Sequence, residues 1–159
     1  MARFQPKNPD FLRVATDTFD RQRAMRALGI SIARLEPGEV DLAMAYSSDF
    51  TQQNGFIHAG IITAGLDSAC GIAAFTLMPE GSDILTVEFK TNLLAPAKGE
   101  RFVFRGVVVK PGRTLTVCDG RAYAERDGSE TLIATMTGTL MALQRREGAA
   151  AQDKVHLPA

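Results

Sequence analysis

Hydrophobic positions recur at different spacings along the chain, and each spacing predicts a different element. Near the start, Asn8-Pro9 is a typical helix beginning, and an apolar stripe at helical spacing follows from Phe11 to Leu28. Gly29 is a typical helix end. We therefore expect a first amphipathic helix that stops at Gly29.

The longest apolar run, Ala59 to Leu77, contains one formal charge, Asp67. Its length and composition predict a helix that is buried on most sides, although its glycines lower the helix propensity. The run also approaches membrane-spanning length. A central carboxylate would cost roughly 2.5–3.5 kcal/mol in a bilayer, so we favour a buried helix over a membrane span.

From Leu85 onward the hydrophobic period is two, which is typical of half-buried strands. Alternation places the apolar side of the first such strand on one face, formed by Leu85, Val87, Phe89, Thr91 and Leu93. It places the polar side on the other face, formed by Thr86, Glu88, Lys90 and Asn92. Pro96 closes this strand.

Turn signals separate the remaining strands. Pro37-Gly38 lies between two partly alternating runs, "KPGR" at 110–113 lies between two more, and Asp127-Gly128 is the clearest hairpin turn in the chain. The predicted order is one helix, two strands, one long buried helix and four strands. An α+β fold satisfies this order when a single antiparallel sheet covers the second helix.

Composition limits the class of protein. The 159 residues, 45% hydrophobic and 23% charged, fit one domain, and 18 basic side chains balance 18 acidic ones, which gives no support for a nucleic-acid or membrane-surface partner. Cys70 and Cys118 are isolated, so we expect buried reduced thiols and neither a disulfide nor a metal site. The N-terminus lacks the apolar stretch of a secretion signal, and we expect a cytoplasmic protein.

Asp67 has two interpretations from local sequence. A break near Gly65 would make it the N-cap of a new helical turn. Alternatively, it is a carboxylate held in an apolar cleft, where desolvation raises the pKa and prepares the group for work as a base or a nucleophile. His58, just ahead of the helix, is either a capping side chain or part of a site formed by the free N–H groups of the helix start.

Other candidates carry little signal alone. Gln52 fits a solvated loop amide, Thr86 fits an ordinary strand residue, and Cys70 has no visible base partner and fits the core better than a nucleophile. The chain has no GxGxxG after a strand, no GxxxxGK[ST], no HExxH and no GxSxG. Nucleotide binding, zinc proteolysis and serine hydrolase chemistry of the usual kinds therefore lack sequence support.

Five segments occur in a characteristic order: an amide-bearing loop, "HAG", "LDSACG", "TVEFKTNLLAPAKGE" and "GRTLTVCDGRAYAERDGSETLIATMTGTLMAL". Together they resemble the hotdog-fold acyl-CoA thioesterases, nearest the phenylacetate-degradation (PaaI-like) branch. The resemblance spans Gly38 to Leu143. It implies a sheet of five to six antiparallel strands around one long central helix, with subunits paired through their sheets and the thioester cleaved at the interface. Residues 1–29 would then be an N-terminal extension and helix, 30–144 the hotdog domain, and 145–159 a loose tail.

The resemblance also implies roles for individual residues. Asp67 falls on the catalytic carboxylate, His58 on the histidine that orients the thioester, and the Ala59 N–H on the oxyanion-hole donor. Gln52 matches a loop amide that is glutamine in some branches and asparagine in others. Thr86 matches the hydroxyl residue that helps to hold the attacking water. Asp67 would either deprotonate that water or attack the thioester directly.

Further residues are candidates for contact with the substrate. Asn54 and Gly60 adjoin the motif residues, and Lys90, Lys110 and Arg113 are candidate contacts to the coenzyme A phosphates, with a solvated strand edge as the alternative for each cation.

One departure concerns "HAG", which is usually His-Gly-Gly in the family. Alanine keeps the N–H but adds a methyl group and gives up glycine-only backbone angles, so the donor geometry could differ.

The resemblance implies an acyl-CoA thioesterase for aryl- or medium-chain acyl groups. It would act as a homodimer or a dimer-of-dimers homotetramer, with no metal and no cofactor beyond the coenzyme A of its substrate. One alternative is a protein that binds acyl-CoA or another apolar ligand without hydrolysing it. Another is a dehydratase on the same fold.

Overall fold

A computed structural model describes residues 4–144. Its helices are α1 (Phe11–Asp20), α2 (Arg23–Ala27) and α3 (Ala59–Phe75), and a short 3-10 turn spans Ser48–Phe50. Its strands are β1 (Ser31–Glu36), β2 (Glu39–Ala45), β3 (Ser82–Leu93), β4 (Arg101–Pro111), β5 (Leu115–Arg126) and β6 (Ser129–Gln144). The predicted order of elements is confirmed except that the first helix is divided. The predicted tail, 145–159, lies outside the described residues.

The strands form one antiparallel sheet in the order β1-β2-β4-β5-β6-β3. Two hairpin turns follow the sequence prediction. Gly38 has φ 78° between β1 and β2, while Asp127 and Gly128 have φ 50° and 75° between β5 and β6. Two successive positive φ angles are typical of a type I′ turn, which matches the twist of a hairpin.

The long helix α3 packs across one face of the sheet, as predicted, and ends two residues before the predicted Leu77. Its apolar residues occur all round the helix, which fits burial on most sides. Glycines permit the close approach: a Cβ on Gly65 would lie 2.7 Å from the Phe104 ring, and a Cβ on Gly106 would overlap the backbone of Ala69. The core of the molecule therefore lies between α3 and the sheet.

The single N-terminal helix predicted from the apolar stripe is wrong in two respects. The helix begins at Phe11 instead of Pro9, because the Asn8 side chain accepts the Asp10 N–H at 2.9 Å in a turn that precedes it. It is also interrupted at Gln22, whose backbone is extended, with ψ 94°. The interruption lets the Gln22 Oε1 accept the Ser68 hydroxyl of α3 at 3.0 Å.

A β-bulge changes the faces predicted for β3. Thr86 lies opposite Leu140 and Glu88 lies opposite Thr139, so Val87 is an extra residue without a partner on β6. Leu140 is 1% exposed and faces α3. Thr86 therefore points to the helix side, whereas Glu88 points to the outer face and accepts the Thr139 hydroxyl there.

The predicted grouping of β3 side chains is consequently wrong. Past the bulge, Phe89, Thr91 and Leu93 lie on the same side of the sheet as Thr86, while Leu85 lies on the outer face with the polar residues. The strand is also less buried than expected, since it forms an edge of the sheet. Ile84 is partly buried, but four large apolar side chains of the strand are 44–59% exposed: Leu85, Val87, Phe89 and Leu93.

Candidate active site

His58 caps the N-terminus of α3. Its Nδ1 accepts the Gly60 N–H at 2.9 Å, and its carbonyl oxygen accepts the N–H groups of Ile61 and Ile62 at 2.9 and 3.3 Å. The Ile62 bond is the first ordinary bond of the helix. Of the four N–H groups that a helix start leaves open, those of Gly60 and Ile61 are satisfied by the cap, and the His58 N–H donates to Phe50 O at 2.8 Å. The fourth, on Ala59, has no acceptor among residues 4–144. The capping interpretation of His58 is therefore confirmed, and the cap leaves one donor available at the positive end of the helix dipole.

A cavity of about 270 Å³ opens beside Ala59. Its wall includes Ile62 of α3, Leu93 of β3 and Ile133 of β6, and it also includes Gln52 from the loop before the helix. Gln52 is the one polar side chain among the described lining residues. The unpaired amide of Ala59 thus lies at an apolar pocket large enough for a small organic group.

The loop that contains Gln52 is held by its own hydrogen bonds. The Gln52 N–H donates to Phe56 O at 2.8 Å, its carbonyl oxygen accepts the Gly55 N–H at 3.0 Å, and its side-chain Oε1 accepts the Asn54 N–H. With Oε1 engaged, the Gln52 Nε2 is left without an acceptor among the described residues and can donate into the cavity. Asn54 and Gly60 are exposed, beside this loop and the helix start respectively.

Asp67 lies two turns further along α3, within an unbroken helix. The N-cap interpretation is therefore wrong, because no new helical turn begins after Gly65. Its partly buried carboxylate accepts the Thr86 hydroxyl through Oδ1 at 2.8 Å. Burial raises the pKa of Asp67 above its ordinary value, and the hydrogen bond from Thr86 lowers it by less. The bulge at Val87 places Thr86 on the same side of the sheet as Phe89 and Leu93, opposite to the face that strict alternation predicts for it.

Comparisons with known proteins identify the family of this chain. A sequence profile described as the Thioesterase superfamily matches residues 54–131. A candidate esterase of Saccharolobus solfataricus is 31% identical over 115 residues, which cover 68% of this chain and 81% of that protein. A crystal structure of a thioesterase family protein from Silicibacter pomeroyi is 58% identical, covers 85% of this chain and 99% of that chain, and has a TM-score of 0.84. The chain belongs to the thioesterase superfamily.

The superfamily's hotdog fold, expected from the sequence resemblance, is confirmed. The structure of the E. coli PaaI protein, from the phenylacetic acid degradation operon, has a TM-score of 0.76 over 84% of this chain and 94% of that chain. Its identity is 16%, so this likeness concerns the fold alone. The long helix α3 is the central helix around which the six-stranded sheet of a hotdog protein curves.

In this thioesterase-superfamily chain the predicted phosphate contacts are not gathered at the cavity. Lys90 lies opposite Thr137 on the outer face of the sheet, away from Asp67. Lys110 and Arg113 are exposed at the connection between β4 and β5, at the other end of β6 from Ile133. Within one chain, therefore, none of the three lines the pocket at Ala59.

The two cysteines are free and buried, as predicted. The Cys118 thiol donates to Cys70 O at 3.5 Å. Burial raises the pKa of Cys70 well above its ordinary value and raises that of Cys118 to about 12. Neither sulfur is available as a thiolate, which argues against the nucleophile interpretation of Cys70.

Among the lining residues that sequence reasoning did not single out, Leu93 and Ile133 are the two that belong to strands. Strict alternation places Leu93 on one continuous apolar face, and nothing in the local pattern of β6 distinguishes Ile133. Their position in the cavity depends on bulges that require knowledge of the neighbouring strand. Across residues 4–144, no three His, Cys, Asp or Glu side chains converge as metal ligands, and no helix is long and apolar enough to cross a membrane.

Proposed function

We propose that this protein hydrolyses acyl-CoA thioesters, and that its active site is shared between the two chains of a homodimer. Membership of the thioesterase superfamily supports the reaction class. The observation that carries the proposal is the unpaired Ala59 N–H at the mouth of an apolar cavity. A polarised thioester oxygen is the kind of acceptor that such a donor stabilises as negative charge develops.

Asp67 is too far from Ala59 in its own chain to act on the same thioester. Their separation of eight positions corresponds to about 12 Å along the helix axis, at 1.5 Å per residue. A base and an oxyanion donor that act together must each lie within about 3 Å of the reacting group, or one water further away. A complete site therefore requires the two groups to come from different chains.

The exposed edge of β3 provides a way to bring them together. One end of β3 holds Thr86, which contacts Asp67, and the other end holds Leu93, which lines the cavity at Ala59. If two copies of β3 pair antiparallel about a two-fold axis, the Thr86 end of one strand lies beside the Leu93 end of the other. Asp67 then approaches the partner subunit's Ala59. Pairing would also cover the apolar side chains that β3 exposes.

The chemistry follows from these positions. Thr86 donates to Asp67 Oδ1 and can accept a hydrogen bond from water through its own oxygen, which leaves Oδ2 to accept the proton of that water. The water oxygen attacks the carbonyl carbon, and the oxyanion forms on the partner subunit's Ala59 N–H. Collapse breaks the C–S bond, and Asp67 returns the proton to the departing thiolate. Direct attack by Asp67, through a mixed anhydride that water then hydrolyses, uses the same groups.

Backbone geometry at Ala59 weakens the alternative of a non-hydrolytic binding protein. Ala59 is the first residue of α3, and among the described non-glycine residues only Asp127 has a positive φ. The alanine methyl therefore imposes no strain on the N–H donor. Free thiols fit the proposed cytoplasmic location, since reducing compartments keep cysteines unpaired. Coenzyme A enters as part of the substrate, with no further cofactor.

Replacing Ala59 with proline tests the oxyanion donor. Proline is favoured at the first position of a helix and lacks only the N–H, and His58, with φ −60° and ψ 138°, already has the backbone that precedes proline. Ala59→Pro should keep the fold and lower kcat by about 10²–10³ in a free-thiol assay with acyl-CoA. Ala59→Gly removes only the methyl group, so its kcat should fall far less. Equal activity of the two variants would rule out the donor role.

Mixing two inactive variants tests the shared site. Ala59→Pro and Asp67→Asn chains are unfolded together and refolded at equal concentration. Half of the random dimers are mixed, and each mixed dimer has one intact site, so about a quarter of the wild-type activity should return. A site within one chain would recover nothing.

A further inference from the structure

The cavity beside Ala59 has an open mouth and a closed inner end. Leu93, at the mouth, is 59% exposed, and Gln52 and Ala59 are partly exposed. Ile62 and Ile133, on the inner wall, are each 1% exposed. A group that is attached at the Ala59 N–H would therefore extend toward Ile133.

Ile133 reaches the cavity because of a second β-bulge. Ala134 lies opposite Ala122 on the face toward α3, whereas Leu132 lies opposite Tyr123, so Ile133 is an extra residue on β6. Strict alternation from Ala134 would place Ile133 on the outer face. Instead its side chain lies in the cavity wall, and its carbonyl oxygen accepts the N–H groups of Leu94 and Ala95 at 2.8 and 3.3 Å. Bulges commonly redirect a side chain in this way next to an active site.

We infer that this cavity holds the acyl group of the substrate and that Ile133 limits its length, an inference that rests on the proposed thioesterase function. A volume of about 270 Å³ accommodates about nine groups of water or methylene size, at roughly 30 Å³ each. An octanoyl or phenylacetyl group is of this size. The substrate class is therefore an uncharged aryl- or medium-chain acyl group.

The lining distinguishes the acyl group from the pantetheine arm of coenzyme A. The pantetheine arm carries two amides and a hydroxyl, and in an apolar chamber these groups would be left without hydrogen-bond partners. Gln52 is the one polar side chain among the described lining residues, and it lies at the mouth. An alkyl or aryl group has no such groups to satisfy, so it is the better occupant.

Shortening Ile133 tests the inference. Ile133→Val and Ile133→Ala add space for about one and about three methylene-sized groups, respectively, at the inner end. The kcat/KM values are measured by thiol release over straight-chain substrates from butyryl- to myristoyl-CoA. The optimum should move to longer chains in the same order. For chains just beyond the wild-type optimum, kcat/KM should rise at least about tenfold relative to the wild-type optimum substrate.

Ile72 supplies the matched control. It is also 1% exposed but lies elsewhere on α3, outside the cavity. Ile72→Val and Ile72→Ala remove the same atoms from the core and should leave the chain-length profile unchanged, whatever their effect on stability. If Ile133→Ala fails to fold, the comparison of Ile133→Val with Ile72→Val decides the question, because only Ile133→Val should move the chain-length optimum.

The possible failures are distinguishable. Wild-type protein that cleaves no acyl-CoA of any length contradicts the proposed function itself. Active wild-type protein whose Ile133 variants keep the same optimum overturns the length limit. A third outcome is that the Ile133 variants change KM by the same factor for every chain length, and change the inhibition constant of free coenzyme A by that factor too. This outcome would assign the cavity to the pantetheine arm and would also overturn the length limit.

Discussion

Asp67 occupies a position in which its ionised form is disfavoured. Burial raises the pKa of this carboxyl, and the Thr86 hydroxyl only partly offsets that rise. A folded-state pKa above the unfolded value means that the contribution of Asp67 to stability is fully present below the unfolded pKa. It is lost as the pH rises through the folded pKa. At neutral pH the negative charge that the proposed mechanism requires of Asp67 therefore opposes folding.

Asp67→Asn should separate these two effects. We expect hydrolysis to fall by about 10²–10⁴, because the amide is neither a base nor a nucleophile. The variant should nevertheless be more stable than wild type at neutral pH. The difference should shrink as the pH falls through the folded pKa and should be gone below about pH 4, where aspartic acid is neutral in both the folded and the unfolded chain. Urea unfolding at both pH values measures this. A variant that is less stable at neutral pH, or a difference that does not change with pH, would contradict the account.

Individual site residues could be predicted where local sequence determines their place. His58, Ala59 and Asp67 lie on one helix, so their spacing fixes their relative positions once the helix is accepted. Gln52 could be placed only by resemblance, because a loop has no period. Ile133 could not be found at all, since its side chain is redirected by a bulge that depends on pairing with β5.

At the scale of elements, periodicity predicted α3 and all six strands, and it failed where an element is interrupted. One extra residue in β3 reverses the faces of every position on one side of it. The break at Gln22 is similarly invisible in the apolar stripe, because both halves remain amphipathic. Both interruptions serve long-range contacts, to Asp67 and to Ser68, which a local pattern does not contain.

The contact between α3 and the sheet should depend on Gly106. A Cβ at this position would overlap the backbone of Ala69, which cannot rotate away as a side chain could. We expect Gly106→Ala to lower the free energy of unfolding by about 1–3 kcal/mol or more, as in other overpacked cores. Gly71→Ala is the control, because its Cβ meets nothing within 4 Å and helix propensity favours alanine by about 1 kcal/mol. Denaturant titration of both variants checks the prediction, and equal midpoints would contradict it.

At the scale of the whole molecule, the edge of β3 is where the proposed dimer and the proposed active site would meet. The same strand holds Thr86, lines the cavity with Leu93 and exposes Phe89, which is 44% exposed on the side toward α3. An exposed edge with apolar side chains is a surface on which a second chain can pair. Dissociation should therefore abolish activity without unfolding either chain.

Phe89→Arg tests this link, because two cations would meet near the proposed two-fold axis. We expect light scattering to report a monomer and thiol release to fall in parallel, while circular dichroism stays close to that of wild type. Leu12→Arg is the control, since Leu12 is 53% exposed on α1, a helix that packs mainly against α2, α3 and β1. A fully active monomer of Phe89→Arg would contradict the shared site.

The extra residue in β3 also determines which single-residue deletions this strand can tolerate. Deleting Val87 would leave Thr86 opposite Leu140 and Glu88 opposite Thr139, so both faces of the strand would keep their present orientation. Deleting Lys90 would instead force every residue on one side of it to the opposite face. We therefore expect relatives with a shorter β3 to lack the residue at the bulge. Such a relative would still direct the Thr86 hydroxyl at the Asp67 carboxylate.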